Sequence, residues 1–391
     1  MRGVDARRGT AGGADPLVTV VVPVHNAAPY LRQRMDCLLG QTLRDIQVVC
    51  VDDGSTDESL DILRDYALQD GRVLVVPQEN LGPAVARNRG IELARGAWLT
   101  CMDADDYCDR DLLGHVLGAV DAAQASAGAS SPRVDVAVFP ERSHNVVTGT
   151  DVRLDYAFQA EHFPAGVFTW RDCPDRILTS FQNWLHNKLF RAEFVRENRL
   201  RLQDLHHTED MLFTCSALLL ARGILCVDGS YAYYRIGQGS SQLYATDAWP
   251  LDFYEACRAL RGFIVERGMM GEVRRSYLNW VGGCVLSNVD IMRDPAGMRA
   301  IYDALHGGGL AELGLADAEP EEFFNRDDCE RLRVLTTEDY DAFLVAEHAW
   351  AFERWHREHE DMLAVVNSRS FRLGRAITGV PRRLRDLLRR R

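Results

Sequence analysis

Carboxylates end two apolar runs in the first third of the chain. Asp52 and Asp53 end one run, Asp103 and Asp105 end another, and Arg87 lies between the two pairs in sequence. Ligands of open α/β sheets bind outside the carboxyl ends of the strands, and oxygen-rich clusters select hard cations such as Mg²⁺ or Mn²⁺. An arginine adds a positive charge that suits phosphate. The pattern therefore indicates a site for a metal-bound diphosphate ligand.

These aspartates also have simpler explanations. Asp52 and Asp53 could form a turn or a helix cap after a strand, because aspartate is common in both places. The segment Asp103-x-Asp105-x-Tyr107 begins like a calcium loop, but Cys108 stands where that loop needs glycine and Gly114 where it needs glutamate. A solvated turn remains the alternative for this second pair. No G-x-x-x-x-G-K-[ST] phosphate loop occurs in the sequence.

Apolar strands alternate with helical segments before and between these carboxylates. This alternation predicts an α/β fold with a mainly parallel sheet, flanking helices and right-handed crossovers. The predicted strands are Leu17–Val24, Gln47–Val51, Val73–Val76, Ala97–Met102 and Val134–Phe139. The predicted helices are Tyr30–Leu39, Leu60–Ala67, Val85–Leu93 and Glu338–Val366. We expect a loop at Ala122–Arg133 and a linker at Gly307–Glu322.

The composition limits the class of protein. A chain of 391 residues with 47% hydrophobic residues is long enough for two or three domains with a real core. Its net charge of −12 argues against nucleic acid as the main partner. The ten cysteines form no C-x-x-C pair, so we expect a reduced, cytoplasmic environment. We find no membrane-spanning segment and no signal peptide, and we expect residues 1–16 to be a disordered leader.

Four short motifs follow one another in the N-terminal part of the chain. They are Val22–Asn26, Val51–Asp57, Asn80-Leu81-Gly82 with Ala86-Arg87-Asn88, and the D-x-D motif Asp103-Ala104-Asp105. In this order they resemble the donor half of a family 2 glycosyltransferase, and the resemblance covers about residues 18–242. It implies the GT-A fold over 17–245, with the donor half at 17–140 and the acceptor half at 141–245. We expect a helical C-terminal region at 246–366 and a basic tail at 367–391.

The resemblance implies a nucleoside-diphosphate sugar as donor, taken to be a UDP-sugar, with Mn²⁺ or Mg²⁺ as cofactor. Asp105 is the implied metal ligand, and Asp103 contacts ribose or the metal. One of Asp52 and Asp53 is implied to accept the uracil N–H. The full set of implied donor contacts is Pro23, Val24, His25, Asn26, Asp52, Asp53, Gly82, Arg87, Asn88, Asp103, Arg235, Ser240 and Ser241.

The resemblance places the catalytic base at the pair Glu209-Asp210, and of the two we choose Asp210. In an inverting transfer, this base takes the proton of the acceptor hydroxyl. The alternative is that both acids only favour the N-terminus of the helix that follows. Contacts to the acceptor or to a phosphate are expected from Trp184, Lys188, His206 and His207. Lys188 is the only lysine beside 44 arginines, which invites a positional explanation.

The chain ends in a strongly basic segment, Arg369–Arg391, which holds nine arginines and one acid. Apolar residues interleave with these arginines, a pattern typical of basic amphipathic helices at anionic membranes. A solvated tail, or a tail docked on the acidic body of the protein, is the alternative.

Together these features predict an inverting, metal-dependent glycosyltransferase at the inner face of the cell membrane. Its acceptor is expected to be a hydroxyl of a polysaccharide or of a lipid-linked glycan. A non-catalytic sugar-nucleotide-binding subunit is one alternative, and the intact acids at 103, 105, 209 and 210 argue against it. A sugar nucleotidyltransferase is a weaker alternative, because the glycine-rich, basic phosphate loop that it needs is missing.

Overall fold

The computed structural model of the protein describes residues 15–127, 132–229, 232–237 and 246–367. The strands are β1 (Val18–Val24), β2 (Ile46–Asp53), β3 (Val73–Gln78), β4 (Trp98–Cys101), β5 (Tyr107–Cys108), β6 (Val136–Val138), β7 (Glu141–Asn145), β8 (Thr150–Arg153), β9 (Val167–Phe168), β10 (Lys188–Arg191), β11 (Ile224–Cys226) and β12 (Ala232–Ile236). The helices are α1 (Ala28–Leu39), α2 (Ser59–Gln69), α3 (Pro83–Glu92), α4 (Leu112–Ala127), α5 (Ala192–Glu197), α6 (Met211–Leu220), α7 (Asp252–Glu266), α8 (Met270–Ile291), α9 (Pro295–Ala304), α10 (Leu310–Glu312), α11 (Arg326–Thr337) and α12 (Tyr340–Asn367).

The main sheet has eight strands in the order β3-β2-β1-β4-β10-β6-β11-β9. The first four strands in this order are parallel, and β10 runs antiparallel to its neighbours β4 and β6. All residues of β1 except Pro23 are buried, because helices cover both faces of the sheet. The predicted α/β fold is thereby confirmed, including the parallel strands of the N-terminal part.

Two hydrophobic cores lie on the two faces of this sheet. Val20 and Val22 of β1 pack on one face with α1, α2 and α4. Val21 points to the opposite face, because successive side chains of a strand alternate, and it belongs to a core with α6, α7 and α8. This second core continues through the C-terminal helices as far as Phe343. The C-terminal helical region is therefore packed directly on the sheet domain.

A smaller sheet, in the order β5-β12-β7-β8, begins just after the D-x-D motif. β12 runs antiparallel to β5 and places Tyr233 opposite Tyr107, and the two rings stack with centroids 4.6 Å apart. Because β5 starts two residues after Asp105, this pairing brings Arg235 of β12 to the D-x-D loop.

Two expectations from the sequence are wrong. The segment Ala122–Arg133 is not a loop throughout, because α4 continues to Ala127, in keeping with the high helix propensity of alanine. The segment Gly307–Glu322 is not a linker, because its leucines are buried in the core. Gly308 (φ 113°) and Gly314 (φ 72°) adopt the left-handed conformation that ends helical turns, so these glycines shape a packed corner.

The predicted tail lies outside the described residues except for Asn367, and the predicted leader lies outside them except for Asp15 and Pro16. In the part of the chain that the structure describes, none of the helices combines the length and the apolar character needed to cross a bilayer.

Candidate active site

Three neighbouring strands end at the same edge of the main sheet. β1 lies between β2 and β4 in parallel register, with Val24 opposite Asp52 and Val21 opposite Cys101. The segments that follow these strands therefore begin side by side, at the edge where open α/β sheets bind ligands.

Asn26 joins the end of β1 to the loop after β2. Its Oδ1 accepts a hydrogen bond from the backbone N–H of Thr56 at 2.8 Å, and its own N–H donates to Ser55 Oγ at 3.0 Å. Its φ of 50° is a left-handed value that asparagine adopts more readily than most residues. The neighbouring His25 forms a 2.8 Å hydrogen bond through Nδ1 with the backbone oxygen of Asp53. These contacts hold both side chains at the sheet edge.

Asp53 organises the glycine turn before α3. Its carboxylate accepts hydrogen bonds from the N–H groups of Leu81 and Gly82, both at 2.9 Å, and from Gln78 Nε2 at 2.7 Å. Asp52 is buried, and its Oδ1 has no hydrogen-bond partner among the described residues. Asp53 lines the cavity at this edge and Asp52 does not. Asp53 is thus the aspartate of the pair that faces ligand space.

A cavity of about 510 Å³, here called the strand-end cavity, opens at this edge. It is lined by most of the predicted donor contacts, namely Pro23, Val24, His25, Asn26, Asp53, Gly82, Arg87, Asp103 and Arg235. Asp105 and His206 also line it, as do the aromatic residues Tyr30, Tyr234 and Trp249, which the sequence analysis missed. The volume lies in the range of small-ligand sites.

Arg87 connects this cavity with the acidic pair before α6. One terminal nitrogen of its guanidinium donates to Asp103 Oδ1 at 2.6 Å, and the other donates to Glu209 Oε1. Burial disfavours the charge, but Asp103 and Glu209 raise the pKa of Arg87 above its usual range.

Helix α3 can approach β1 because Gly90 has no side chain, since a Cβ there would lie 2.2 Å from Val21 Cγ1.

A second buried arginine, Arg34 of α1, supports the D-x-D loop from behind. Its Nε donates to the backbone oxygen of Asp103 at 2.8 Å, and the residue is 2% exposed. The sequence analysis missed this residue. The available signal was a charged residue on the apolar face of α1, between the fully buried Leu31, Met35 and Leu38.

The residues around the D-x-D motif fit a divalent cation. Ligand atoms of Asp103, Asp106 and His186 all lie within 4.8 Å of one another. Burial raises the pKa of Asp106 to about 8, and the charges of Asp105 and Asp103 act in the same direction. A cation would offset this accumulation of carboxylates, and carboxylate oxygens with an imidazole are ligands that Mn²⁺ accepts. The sequence analysis missed His186 as a member of this group.

His186 also offers the acids a second source of positive charge. Burial lowers its pKa, but Glu141, 2.8 Å from Nδ1, outweighs this effect and the pKa rises to about 9. A protonated imidazole and a metal cation are therefore alternative counter-charges for Asp103 and Asp106.

Asp210 stands at the N-cap position of α6, but its side chain is used elsewhere. Its Oδ1 accepts a hydrogen bond from Asn183 Nδ2 at 2.6 Å, and its side chain makes no capping hydrogen bond to the helix. Burial, followed by the charge of Glu209, raises the pKa of Asp210 to about 7. Thr214 Oγ1 donates to the backbone oxygen of Asn183 at 2.8 Å and holds this partner in place. A carboxylate with such a pKa is suited to accept a proton near neutral pH.

A second cavity, of about 630 Å³, also has Arg87 in its wall. We call it the helix-lined cavity because residues of α8 form one of its walls. It contains the predicted residues Trp184, His207, Glu209 and Asp210, and it shares Arg87, Asp103 and Tyr234 with the strand-end cavity. Two ligand spaces thus meet at one ion-pair network.

Residues 19–175 match the family model described as Glycosyl transferase family 2. This segment is a family 2 glycosyltransferase domain. The chain is 28% identical over 308 residues to the protein named "Putative glycosyltransferase EpsH" of Bacillus subtilis (strain 168), and the match covers 75% of this chain and 83% of EpsH. It is 30% identical over 226 residues to the uncharacterized glycosyltransferase EpsJ of the same organism, covering 56% of this chain and 61% of EpsJ.

Among solved structures, the chain is similar to S. aureus TarS 1–349 in complex with UDP. The TM-score is 0.52 at 20% sequence identity, and the match covers 81% of this chain and 90% of that chain. The likeness confirms the GT-A fold, and the relatives confirm that the protein is a glycosyltransferase.

Two residues predicted as ligand contacts of this glycosyltransferase serve the chain instead. Asn88 Nδ2 donates to the backbone oxygen of Leu202 and its Oδ1 accepts from the N–H of Leu202, both at 2.9 Å, so Asn88 fastens α3 to the segment before the acidic pair. Lys188 is fully buried, and its Nζ donates to the backbone oxygens of Gln182 (2.5 Å) and Trp184 (2.8 Å) and to Asn187 Oδ1 (2.7 Å).

Neither residue lines either of the two cavities. All three N–H groups of the Lys188 ammonium donate hydrogen bonds within the protein, so none is left to contact a substrate. The position of Lys188 thus explains why a lysine stands there, but the groups that it binds are part of the protein and not of a ligand.

The remaining predicted residues of the glycosyltransferase divide between the two cavities. His206 stacks on Trp249 with centroids 3.8 Å apart and lines the strand-end cavity, which is the predicted donor side. His207 lines the helix-lined cavity and bonds to Thr208 Oγ1 at 2.9 Å. Arg235 Nε donates to the backbone oxygen of Asp105 at 2.6 Å. Ser240 and Ser241 lie outside the described residues.

Proposed function

We propose that the protein transfers a sugar, with inversion, from a nucleoside-diphosphate donor to a hydroxyl of a glycan. One observation carries this proposal: Arg87 holds Asp103, in the strand-end cavity, and Glu209, in the helix-lined cavity, in a single buried network. A group-transfer enzyme needs two substrate sites whose reacting atoms meet. The two cavities share Arg87 and Asp103 of this network and meet that requirement.

The strand-end cavity is the proposed donor site. Its backbone segment at Pro23–Asn26 and the carboxylate of Asp53 would contact the nucleoside, while Arg235 lies beside the D-x-D loop that would face the diphosphate. Tyr30 and His206 offer flat rings at the same edge. UDP is the proposed nucleotide, supported by the shared fold with TarS, which binds UDP.

Asp103, Asp106 and His186 would hold Mn²⁺ or Mg²⁺. Asp105, the metal ligand that the resemblance implies, is not a member of this cluster but lines the strand-end cavity beside Asp103. The cation would supply charge neutralisation to the diphosphate that leaves. Arg34 fixes the backbone of Asp103, and Arg87 holds its pKa below the usual value even though burial acts in the opposite direction. These contacts keep the carboxylate of Asp103 ionised and oriented.

Asp210 is the proposed base. Asn183 orients its carboxylate, and the ionised form takes the proton of the acceptor hydroxyl as that oxygen attacks the anomeric carbon. The bond to the diphosphate breaks in the same displacement, which inverts the anomeric centre. Glu209 stays paired with Arg87 and links the base to the donor side.

We propose that the acceptor belongs to a cell-surface polysaccharide or lipid-linked glycan, and that the basic tail brings the enzyme to the inner face of the membrane.

The boundaries proposed for the two halves of the glycosyltransferase domain are 17–140 and 141–245. The alternative of a non-catalytic subunit has less support, since Glu209 and Asp210 are present together with their partners Arg87 and Asn183.

The test is a screen of the purified full chain against UDP-, GDP- and dTDP-sugars with Mn²⁺. The readouts are thermal shift and release of the nucleoside diphosphate. We expect one UDP-sugar to stabilise the protein and to be hydrolysed slowly without acceptor. Binding without any hydrolysis or transfer would favour the non-catalytic subunit, and release of pyrophosphate would favour a nucleotidyltransferase.

A further inference from the structure

We infer that one face of α8 forms an acceptor subsite for an uncharged, hydroxyl-rich glycan chain. This inference rests on the proposed function, because it assigns the helix-lined cavity to the acceptor. It goes further by naming the residues outside the family 2 domain that select the acceptor, and by naming the chemical class that they select.

The wall of the helix-lined cavity follows the helical repeat of α8. The residues that line it are Asn279, Trp280, Gly283, Cys284, Ser287, Asn288 and Ile291. They recur at intervals of three or four positions and therefore lie on one side of the helix. From Asn279 to Ile291 this stripe is about 18 Å long at 1.5 Å per residue. A stripe of that length suits several linked sugar units rather than one.

Three residues in the middle of the stripe are small. Gly283, Cys284 and Ser287 separate the large side chains of Trp280 and Ile291, which leaves a shallow trough along the helix. The trough continues to the acidic pair, since Glu209 and Asp210 line the same cavity. A chain that lies in the trough can therefore present its terminal hydroxyl to the proposed base.

The segment after the 3₁₀ helix at Pro320–Glu322 forms part of the same wall. Asn279 Oδ1 accepts from the N–H of Phe324 at 2.6 Å, and Asn279 Nδ2 donates to the backbone oxygen of Glu322 at 2.8 Å. Phe324, Asn325 and Asp328 line the cavity next to this attachment. The wall is therefore built from two segments of the C-terminal region that one asparagine holds together.

Trp280 gives this wall a specific binding chemistry. Its indole Nε1 is buried and has no hydrogen-bond partner among the described residues. An indole combines a broad apolar face with one donor, and it usually finds an acceptor for that donor when buried. A sugar ring presents both an apolar face and hydroxyl acceptors. The neighbouring groups of Asn325 and Ser287 offer further polar contacts.

The charges along the cavity favour a neutral chain. The basic lining residues are Arg87, His186 and His207, and these lie near the acids of the reacting end. Away from that end, the lining includes amides, a hydroxyl and the carboxylate of Asp328. Arg176 and Arg275 lie over the ring of Phe324 and are not lining residues. A phosphate-bearing repeat would meet a carboxylate there without a lining cation to offset it.

Gly283→Leu tests this inference with little risk to folding. A Cβ at Gly283 would meet no atom within 4 Å among the described residues, so the added side chain starts in open space in the trough. Leucine also has a higher helix propensity than glycine, so the thermal midpoint should equal or exceed that of the wild type. Gly271→Leu is the matched control, because Gly271 is an exposed residue of the same helix with equally open space at its Cβ.

The binding probes are the neutral tetrasaccharides cellotetraose, maltotetraose, mannotetraose and chitotetraose, with oligo(glycerol phosphate) as the charged comparison. Each is titrated by calorimetry into the full chain, with and without UDP and Mn²⁺. We expect at least one neutral tetrasaccharide to bind the wild type and Gly271→Leu alike, and to bind Gly283→Leu tenfold or more weakly. Trp280→Phe should weaken the same ligand and leave UDP affinity unchanged.

Equal affinity of the neutral ligand for the wild type and Gly283→Leu would overturn the inference. Binding of only the phosphate-bearing oligomer, or of no neutral tetrasaccharide, would also overturn it. A separate titration of UDP tests the proposed function. If the wild type fails to bind UDP while Gly283→Leu still loses the tetrasaccharide, the donor assignment is wrong and the trough stands.

Discussion

Arg87 of α3 forms ion pairs with Glu209, 122 residues further along the chain, and with Asp103 of the D-x-D motif. The three side chains are largely enclosed, and the guanidinium is the counter-charge that both acids contact directly. A motif near the N-terminus is in this way joined to the acidic pair that precedes α6. The geometry of the strand-end cavity, the proposed donor site, and that of the helix-lined cavity, the proposed acceptor site, are therefore physically coupled.

Replacing Arg87 by methionine should destabilise the protein, because the buried carboxylate of Glu209 and the partly buried carboxylate of Asp103 lose their partner. Breaking a buried ion pair in this way typically costs about 3–5 kcal/mol. Arg87→Lys should retain more stability but lose activity by about tenfold or more, because a single ammonium cannot reproduce a bidentate contact. Urea unfolding and sugar transfer measure the two effects.

Arg89 is the control for this prediction. It lies two positions further on the same helix, is exposed, and donates to Gln78 at 3.3 Å. Arg89→Met should change the free energy of unfolding by no more than about 0.5 kcal/mol. Equal losses in the free energy of unfolding for Arg87→Met and Arg89→Met would contradict a stabilising role of the Arg87 ion pairs.

Local patterns were sufficient to predict the half of the fold that builds the donor side. The ends of strands β1 to β4 were predicted to within about two residues, because runs of β-branched residues bounded by turn residues typically form strands. Arg34 and His186 were missed for a physical reason. Arg34 reaches Asp103 across 69 positions and His186 reaches Glu141 across 45. The position of Arg34 on the apolar face of α1 indicates burial, but the local sequence does not identify the partner of either residue.

Removal of the metal should abolish transfer. We expect EDTA to stop turnover and added Mn²⁺ or Mg²⁺ to restore it. Asp105→Asn should lower kcat/KM by about 10²-fold, since a bound cation supplies several kcal/mol to the transition state. Asp111→Asn is the control, because Asp111 is an exposed acid a few residues away. Full transfer in EDTA would refute the metal assignment.

Asp210→Asn should abolish transfer and preserve UDP binding. Loss of a general base lowers kcat by about 10²–10⁴-fold. In the wild type, kcat/KM should fall as the pH drops below about 7, because burial raises the pKa of Asp210 to that value and the base must be ionised. Loss of UDP binding, with residual turnover, would assign Asp210 to the donor side instead.

The raised pKa of Asp210 also predicts an effect of pH on the stability of the protein, in the direction opposite to its effect on kcat/KM. Between 3.8, its ordinary pKa, and about 7, Asp210 keeps a proton in the folded state that it loses in the unfolded state. Its contribution therefore decreases as the pH rises through this window. At pH 8, Asp210→Asn should be at least as stable as the wild type in urea. A large loss of stability at pH 8 would mean that the carboxylate has a structural role.

Lys188→Met should destabilise the protein and misplace the segment 182–187. The substitution leaves two backbone oxygens and Asn187 Oδ1 without their donor. Each unsatisfied buried acceptor costs about 1–3 kcal/mol. Lys188→Arg should also destabilise, because the fully buried site encloses a compact ammonium. Arg64→Lys, at an exposed position, should be neutral in the same urea unfolding assay.

The C-terminal tail should bind anionic membranes. It carries nine arginines and one acid in residues 369–391, whereas the whole chain has a net charge of −12, so the rest of the protein is strongly negative and should be repelled by the same surface. Each arginine near a negatively charged bilayer contributes on the order of 1 kcal/mol, and salt weakens that attraction.

Flotation with vesicles that contain phosphatidylserine tests the tail directly. Deleting residues 369–391 should release the protein from the vesicles and leave UDP-sugar hydrolysis unchanged. A variant with Phe371, Leu373, Ile377 and Leu384 replaced by serine keeps all nine arginines and separates the two contributions. Since an amphipathic segment needs its apolar face as well as its charge, this variant should bind more weakly and with a steeper dependence on salt. If the truncated chain floats as well as the full chain, the tail is not the membrane anchor.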